Sequence, residues 1–294
     1  MQLTKRLGVI TSGFAALVAG IAMGSDAAAA DDMIGFGKET FQVNLGWYRP
    51  NFTTSVSASA SGSPVPPANV SGESDLGLDK SLSVGRLDGY WRFADRHRLF
   101  FGYYNLDRST TATLNKNIGP INIPSQGVND TILAGSNIKA EADWNVYVLG
   151  YGYSLYKTDT VEVAGKFGFN VAKIGTSITG TLNTLNNGVL NGATAGTNGN
   201  VAAPLPVLAV SGDWALNERW RLRGSLGGFK AKVSDVKASV TDATVAAEYR
   251  LFRNFGVGAG YSLLRISGDI NKSSYSSSVD WRTGGLVIYG SLVF

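Results

Sequence analysis

A single histidine limits the acid–base chemistry this chain could perform. His97 lies in the run Asp95-Arg96-His97-Arg98, where flanking arginines mark a solvated turn and no catalytic partner is evident. The absence of cysteine removes thiolate nucleophiles, thiolate metal sites and disulfides. Glu73, Asp75 and Asp79 could bind calcium, but flexible acidic loops usually do not. There is no EF-hand loop and no His/Cys/carboxylate set for zinc. Gly256, Gly258 and Gly260 form a GxGxG without the following helix that a phosphate site needs. No enzyme, cofactor or metal is therefore expected.

Charges recur instead on alternate positions of apolar segments. Arg86, Asp88, Arg92, Glu162, Lys166, Asp213, Arg223, Glu248 and Arg250 all fall on the polar phase of such patterns. Five are positive and four negative, so most can pair. Gathered in one interior, they would form either a rigid hydrogen-bonded plug or the lining of a narrow hydrated path whose charge balance sets solute preference.

The elements that must position them are strands. Phe41, Val43, Leu45 and Trp47 alternate with Gln42, Asn44, Gly46 and Tyr48, the period that puts apolar side chains on one face of a strand. The same pattern recurs at Leu87, Gly89, Trp91 and Phe93, at Val161 to Phe169, at Leu208 to Leu216 and at Val245 to Leu251. Its apolar face carries Trp47, Trp91, Phe93, Tyr156, Trp214 and Tyr249 near strand ends, where membrane interfaces favour aromatics. Charged residues make up only 16% of the 294, against about 25% in soluble domains. The net charge of +4 is too small to argue for nucleic acid.

The amino terminus reads as an export signal: Lys5 and Arg6, an uncharged stretch from Leu7 to Met23, then Ala28, Ala29 and Ala30 as a small-residue cleavage site. An uncleaved anchor over Leu7 to Ser25 is the alternative, diluted by Gly, Ser and Thr. The expected organisation is a cleaved signal over 1–30, a periplasmic lead-in over 31–38 and a barrel over 39–294.

Ten strands are predicted: 39–50, 81–94, 98–112, 138–156, 160–177, 204–217, 220–234, 239–252, 255–269 and 277–294. Eight would result if 204–217 and 220–234 were a loop excursion. Twelve would require Thr53 to Ser61 to pair within the first loop. Short turns at 95–97, 157–159, 217–219 and 253–254 alternate with long connections at 51–80, 113–137 and 178–203, as short periplasmic turns and long external loops do in transmembrane barrels. All eight prolines fall in or beside the long connections, as expected of a residue that cannot donate to a ladder. An even count closes the sheet, which hydrocarbon demands of every strand edge.

The final strand carries a resemblance. Leu286, Ile288, Leu292 and Phe294 share one face, with Gly290 between them. This resembles the carboxy-terminal signature of Gram-negative outer-membrane β-barrels, and residues 83–108 look like a strand, turn and strand of the small OmpA-like and OmpW-like barrels. The resemblance implies a closed antiparallel all-β barrel in the outer membrane, in contact with its lipid and lipopolysaccharide. It further implies insertion by the barrel-assembly machinery with Phe294 as assembly signal. Ten strands lie between small filled barrels and open porins, so the expected function is a narrow porin-like or small-solute channel; an envelope-structural or adhesive role of the loops is the alternative. Omptin-like proteases, also ten-stranded, use a His near the external rim, and here the only His is predicted at the opposite end.

Overall fold

The computed structural model describes residues 33–60, 68–123, 128–271 and 275–294; the expected signal segment lies outside the described residues. Every regular element among those described is a strand. In chain order they are β1 (Phe41–Ala60), β2 (Ala68–Ser71), β3 (Val84–Ala94), β4 (His97–Asn105), β5 (Arg108–Thr113), β6 (Ile118–Ile123) and β7 (Val128–Ile132). There follow β8 (Asn137–Lys157), β9 (Val161–Thr184), β10 (Gly188–Ala215), β11 (Trp220–Val233), β12 (Val236–Phe252), β13 (Phe255–Asn271) and β14 (Tyr275–Val293).

The sheet closes on itself. Antiparallel pairing runs from β1 through β3, β4 with its continuation β5, then β8 to β14 in order, and β14 returns to β1. With β4 and β5 counted as one interrupted stave, this is a closed ten-stranded meander. The seam is tied at the short-turn end, where Thr40 and Phe41 N–H both donate to the Phe294 carbonyl at 2.7 and 3.0 Å.

Short polar side chains make the tight turns. The Asn217 carboxamide oxygen accepts from the N–H groups of Arg219 and Trp220 at 2.9 and 2.8 Å, and Thr158 Oγ1 accepts from Val161 N–H at 2.9 Å, standing in for backbone partners. Register shifts at Arg92/Ala94, Ser154/Tyr156 and Arg250/Phe252 sit beside these turns, where a bulge sharpens the twist.

Alternation sorts the wall into two faces. Glu162 is 1% exposed while Phe167 on the same strand is 49% exposed. Trp91, Phe93, Leu149, Leu208, Val210, Trp214, Leu226 and Val245 all lie on the outside. The outer face is continuous apolar surface, the arrangement for hydrocarbon rather than water.

Three expectations need correction. The connections predicted at 51–80 and 178–203 are largely strand. β1 continues to Ala60 against β14, and β9 and β10 run on as a hairpin reaching Thr184 and Gly188. Within Thr53 to Ser61, Ser55 to Ala58 do pair with β2, yet this thickens the rim without adding a stave. These arms are dominated by Ser, Thr, Gly, Asn and Ala, so their pairing leaves little hydrophobic period to read. Prolines, too, lie inside strands: Pro50 in β1, Pro120 in β6, Pro204 and Pro206 in β10. The Pro50 carbonyl accepts from Leu82 N–H, so the nitrogen of Pro50 faces the side where β3 has already ended at its Tyr48↔Val84 pair. Pro204 and Pro206 share the phase of Leu216, whose N–H points to Trp220 beside β11. They lie beyond the last β10–β11 pair, Leu208↔Gly228, so no ladder bond is lost.

Candidate functional site

The barrel interior has three levels. At the short-turn end it is ionic. Arg92 pairs with Glu162 at 2.8 Å, Arg98 bridges Glu162 and Asp213 at 3.3 and 3.4 Å, and Arg223 joins Asp213 to Glu248 at 2.8 and 3.5 Å. Ser154 also donates to Glu162. Gln42 knits the lattice to the seam, donating from Nε2 to Glu248 at 3.0 Å and Ser291 at 2.8 Å. Every carboxylate in it has at least one guanidinium, which is the condition for burying such charges.

The lead-in segment closes this end. Glu39 is buried, paired with Arg221 at 2.7 Å and accepting from Tyr90 Oη at 3.0 Å. The Arg221 guanidinium lies 4.8 Å from the Phe36 ring centroid, and Arg92 Nε donates to the Glu39 carbonyl at 3.2 Å. Residues 33–40 therefore bend into the mouth, held by side chains from β3 and β11.

At the opposite end the interior is apolar. Trp144 and Trp281 stack with centroids 4.1 Å apart, Phe52 lies 6.3 Å from Trp281, and Tyr48 meets Tyr104 edge-on at 5.8 Å. Ile138, Val240, Leu264 and Ile266 pack around them. A salt bridge fastens the first long connection over this plug: Arg108 holds Glu73 at 2.7 Å and lies 4.1 Å from the Phe52 centroid. Thr54 adds a backbone donor to Glu73 at 2.8 Å. Asp75 is likewise occupied, by Lys116 at 2.6 Å and Ser71 N–H at 2.7 Å. The acidic group predicted as a loose loop thus supplies internal anchors.

Between plug and lattice lies a chamber of about 260 Å³. Arg86, Asp88, Lys166, Ser211, Asp213, Arg223 and Asp242 supply its charged and polar wall, Phe100, Tyr90, Tyr104 and Tyr289 its rings. Bare backbone at Gly102, Gly150 and Gly168 leaves room on one side. Elsewhere glycine lets rings lie flat on the wall: a Cβ at Gly258 would stand 2.2 Å from Tyr289 Cζ.

Of the nine residues singled out from sequence, Arg92, Glu162, Asp213, Arg223 and Glu248 meet in the lattice. Arg86 and Asp88 pair separately at 3.0 Å in the chamber wall. Lys166 lies 4.1 Å from the Phe100 centroid, and Arg250 caps the Arg253 carbonyl at 3.3 Å near the turn. Sequence reasoning missed Arg98, Arg221, Glu39 and Asp242. Arg98 and Arg221 share the inward phase of Phe100 and Arg223, a signal obscured by their closeness to turns; Glu39 stands at the predicted start of the first strand, 39–50, with nothing in its residue type to mark the bend. His97 lies at the surface but just past the turn: it opens β4 on the outer face, with Nδ1 2.6 Å from Tyr151 Oη and its ring edge-on to Tyr153 at 5.1 Å.

No protein-family model matches the sequence, and no curated protein matches it. Solved structures do. The outer membrane protease OmpT from Escherichia coli superposes with a TM-score of 0.50 at 10% identity, covering 90% of this chain and 100% of that one. The outer membrane protein OprG from Pseudomonas aeruginosa gives 0.35 at 11% identity over 86% of this chain and 95% of its own. The toluene transporter TbuX from Ralstonia pickettii gives 0.35 at 12% identity over 92% and 93%. The fold is that of a Gram-negative outer-membrane β-barrel. At 10% identity the likeness to a protease is one of architecture alone.

Proposed function

We propose that this barrel resides in the outer membrane, with its short turns toward the periplasm, and passes small solutes along a narrow, normally closed path through the central chamber. The observation that carries the reading is the chamber itself. A barrel kept only as a rigid wall element gains nothing from a charged void of about 260 Å³ between two packed ends, since cavities cost packing energy. The two closures differ in kind. The outer one is interlocked tryptophan and isoleucine, while the periplasmic one is a chain of ion pairs plus a segment whose grip is Glu39 on Arg221. Removal of that segment is the simplest way to open the path.

Purified protein in planar bilayers tests this. Wild type should show rare, small unit conductance, and a variant lacking residues 31–39, and with them the Glu39 anchor, should conduct more often while keeping the barrel's circular-dichroism spectrum. Silence from both, with the fold intact, overturns the path and leaves a structural or loop-based role. One observation favours that second reading: the β9–β10 arm and the β6–β7 hairpin form an ordered external projection joined through Asp130, a platform suited to contact with other surfaces.

A further inference from the structure

Most charged groups lining the chamber are already committed. Arg86 is paired with Asp88, which also accepts from Asn44 Nδ2 at 2.9 Å. Asp213 is shared by Arg223 and Arg98. Two are left over. Lys166 makes no hydrogen bond or ion pair among the described residues and rests its ammonium on the Phe100 ring at 4.1 Å. The Asp242 carboxylate has a buried oxygen, Oδ1, without a partner. One spare cation and one spare anion therefore face the same void.

Their placement is regular. Lys166 on β9 pairs in register with Ala209 on β10, Ala209 with Gly227 on β11, and Gly227 with Asp242 on β12. The four form one inward row across four neighbouring strands, spanning about 14 Å of wall at the usual strand spacing. The two middle positions carry almost no side chain. A Cβ on Gly227 would lie 2.5 Å from Asp242 Oδ1 and 2.8 Å from Ala209 Cβ, so the bare backbone at Gly227 is what lets the Asp242 carboxylate lie over β11 within the row. Ser211, on the β10 phase next to Ala209, adds a hydroxyl without a partner.

We infer that this row is a binding site for a small zwitterion, of the α-amino acid or betaine kind, with its carboxylate toward Lys166 and its ammonium toward Asp242. The inference rests on the solute-path reading and names its solute class. An anion or a cation alone would satisfy one end and leave the other charge buried and uncompensated, which is the expensive outcome. A zwitterion satisfies both in one step. The chamber's size, below the usual range of about 300–1,000 Å³ for drug-sized ligands, limits the guest to a few heavy atoms, and Phe100, Val207 and Tyr289 offer an apolar surface for its remainder.

Equilibrium dialysis of the full barrel in lipid nanodiscs tests the site, with L-alanine as zwitterion, propionate as the anion alone and isopropylammonium as the cation alone. L-alanine should bind at least tenfold more tightly than either. Lys166→Met and Asp242→Asn should each weaken it tenfold or more, and Gly227→Val should abolish binding, all with the wild-type circular-dichroism spectrum. Propionate binding as well as L-alanine would overturn the inference in favour of an anion site. Undiminished binding in Lys166→Met or Asp242→Asn, or no binding of L-alanine at all, would also overturn it. Failure of the two readings is separable. Conductance without L-alanine binding defeats the zwitterion site alone, and L-alanine binding by a barrel that never conducts defeats the path alone.

Discussion

Arg92 grips Glu162 with both prongs of its guanidinium, Nη1 donating to Oε1 at 2.9 Å and Nη2 to Oε2 at 2.8 Å, and both side chains are buried. The fork matches the carboxylate geometry and fixes β3 to β9 across the barrel's lower lumen.

Glu162→Ala should therefore be among the most damaging single changes, about 3–5 kcal/mol in urea unfolding from lipid vesicles, because Arg92 and Arg98 would remain buried without this partner. Asp280 offers the contrast. It also meets two arginines, Arg265 and Arg282, at 2.5 and 2.9 Å, but at an exposed level. Asp280→Ala should cost about 0–1 kcal/mol. Equal losses would mean that the lower lattice is wet.

The two faces of the wall predict opposite tolerance for charge. Leu149 is exposed on the outer face and pairs in register with Phe169, so Leu149→Arg should lower stability by about 2–4 kcal/mol in a bilayer. Asn170, one residue beyond Phe169 and facing the chamber, should accept arginine with a smaller loss. A folding-yield comparison in vesicles reads both, and equal yields would contradict the facing.

Tyr289 lies over Gly258, where an added Cβ would come within 2.2 Å of the ring. Gly258→Ala should displace the ring and cost about 1–3 kcal/mol. In the Tyr289→Leu background the same change should cost much less, a non-additivity visible in a double-mutant cycle.

Acid should loosen the external projection before the barrel. Burial opposes ionisation of Asp130, but N–H donors from Thr131, Asn187 and Asn186 outweigh it and hold its pKa down at about 2 from the usual 3.8. The sign follows from linkage: the anchor's contribution is fully present above pH 3.8 and is lost as pH falls toward 2. Limited proteolysis with pepsin should cut the arm increasingly below about pH 3.8, and Asp130→Asn should make the arm susceptible at every pH.

The barrel itself was legible because hydrocarbon outside and a narrow lumen inside impose a strict period of two. Phe167 and Glu162 carry that period in their residue types alone. The arms were less so, because β1 beyond Phe52 and the β9–β10 hairpin are built largely of Ser, Thr, Gly, Asn and Ala, and an apolar side chain buried there, such as Leu182, belongs to no run of period two. The ionic lattice was visible only in part: Arg92 and Glu162 fall in long alternating runs, whereas Glu39 enters the lumen through a bend, with Gly37 at a φ of 74°. The chamber's spare pair was hidden for another reason. Lys166 and Asp242 are far apart in the chain, and only strand register sets them in one row.

The long β10 arm leaves a flank that β11 does not pair. Among the described residues the β10–β11 ladder ends at Leu208↔Gly228, and an unpaired flank is a template on which a second molecule could lay a strand. Pro204 and Pro206 stand on that flank at its first two donor positions, and each removes an N–H that an incoming chain would seek. Crowded membranes bring such arms together continually, and this pair of residues acts as a built-in deterrent to zippering.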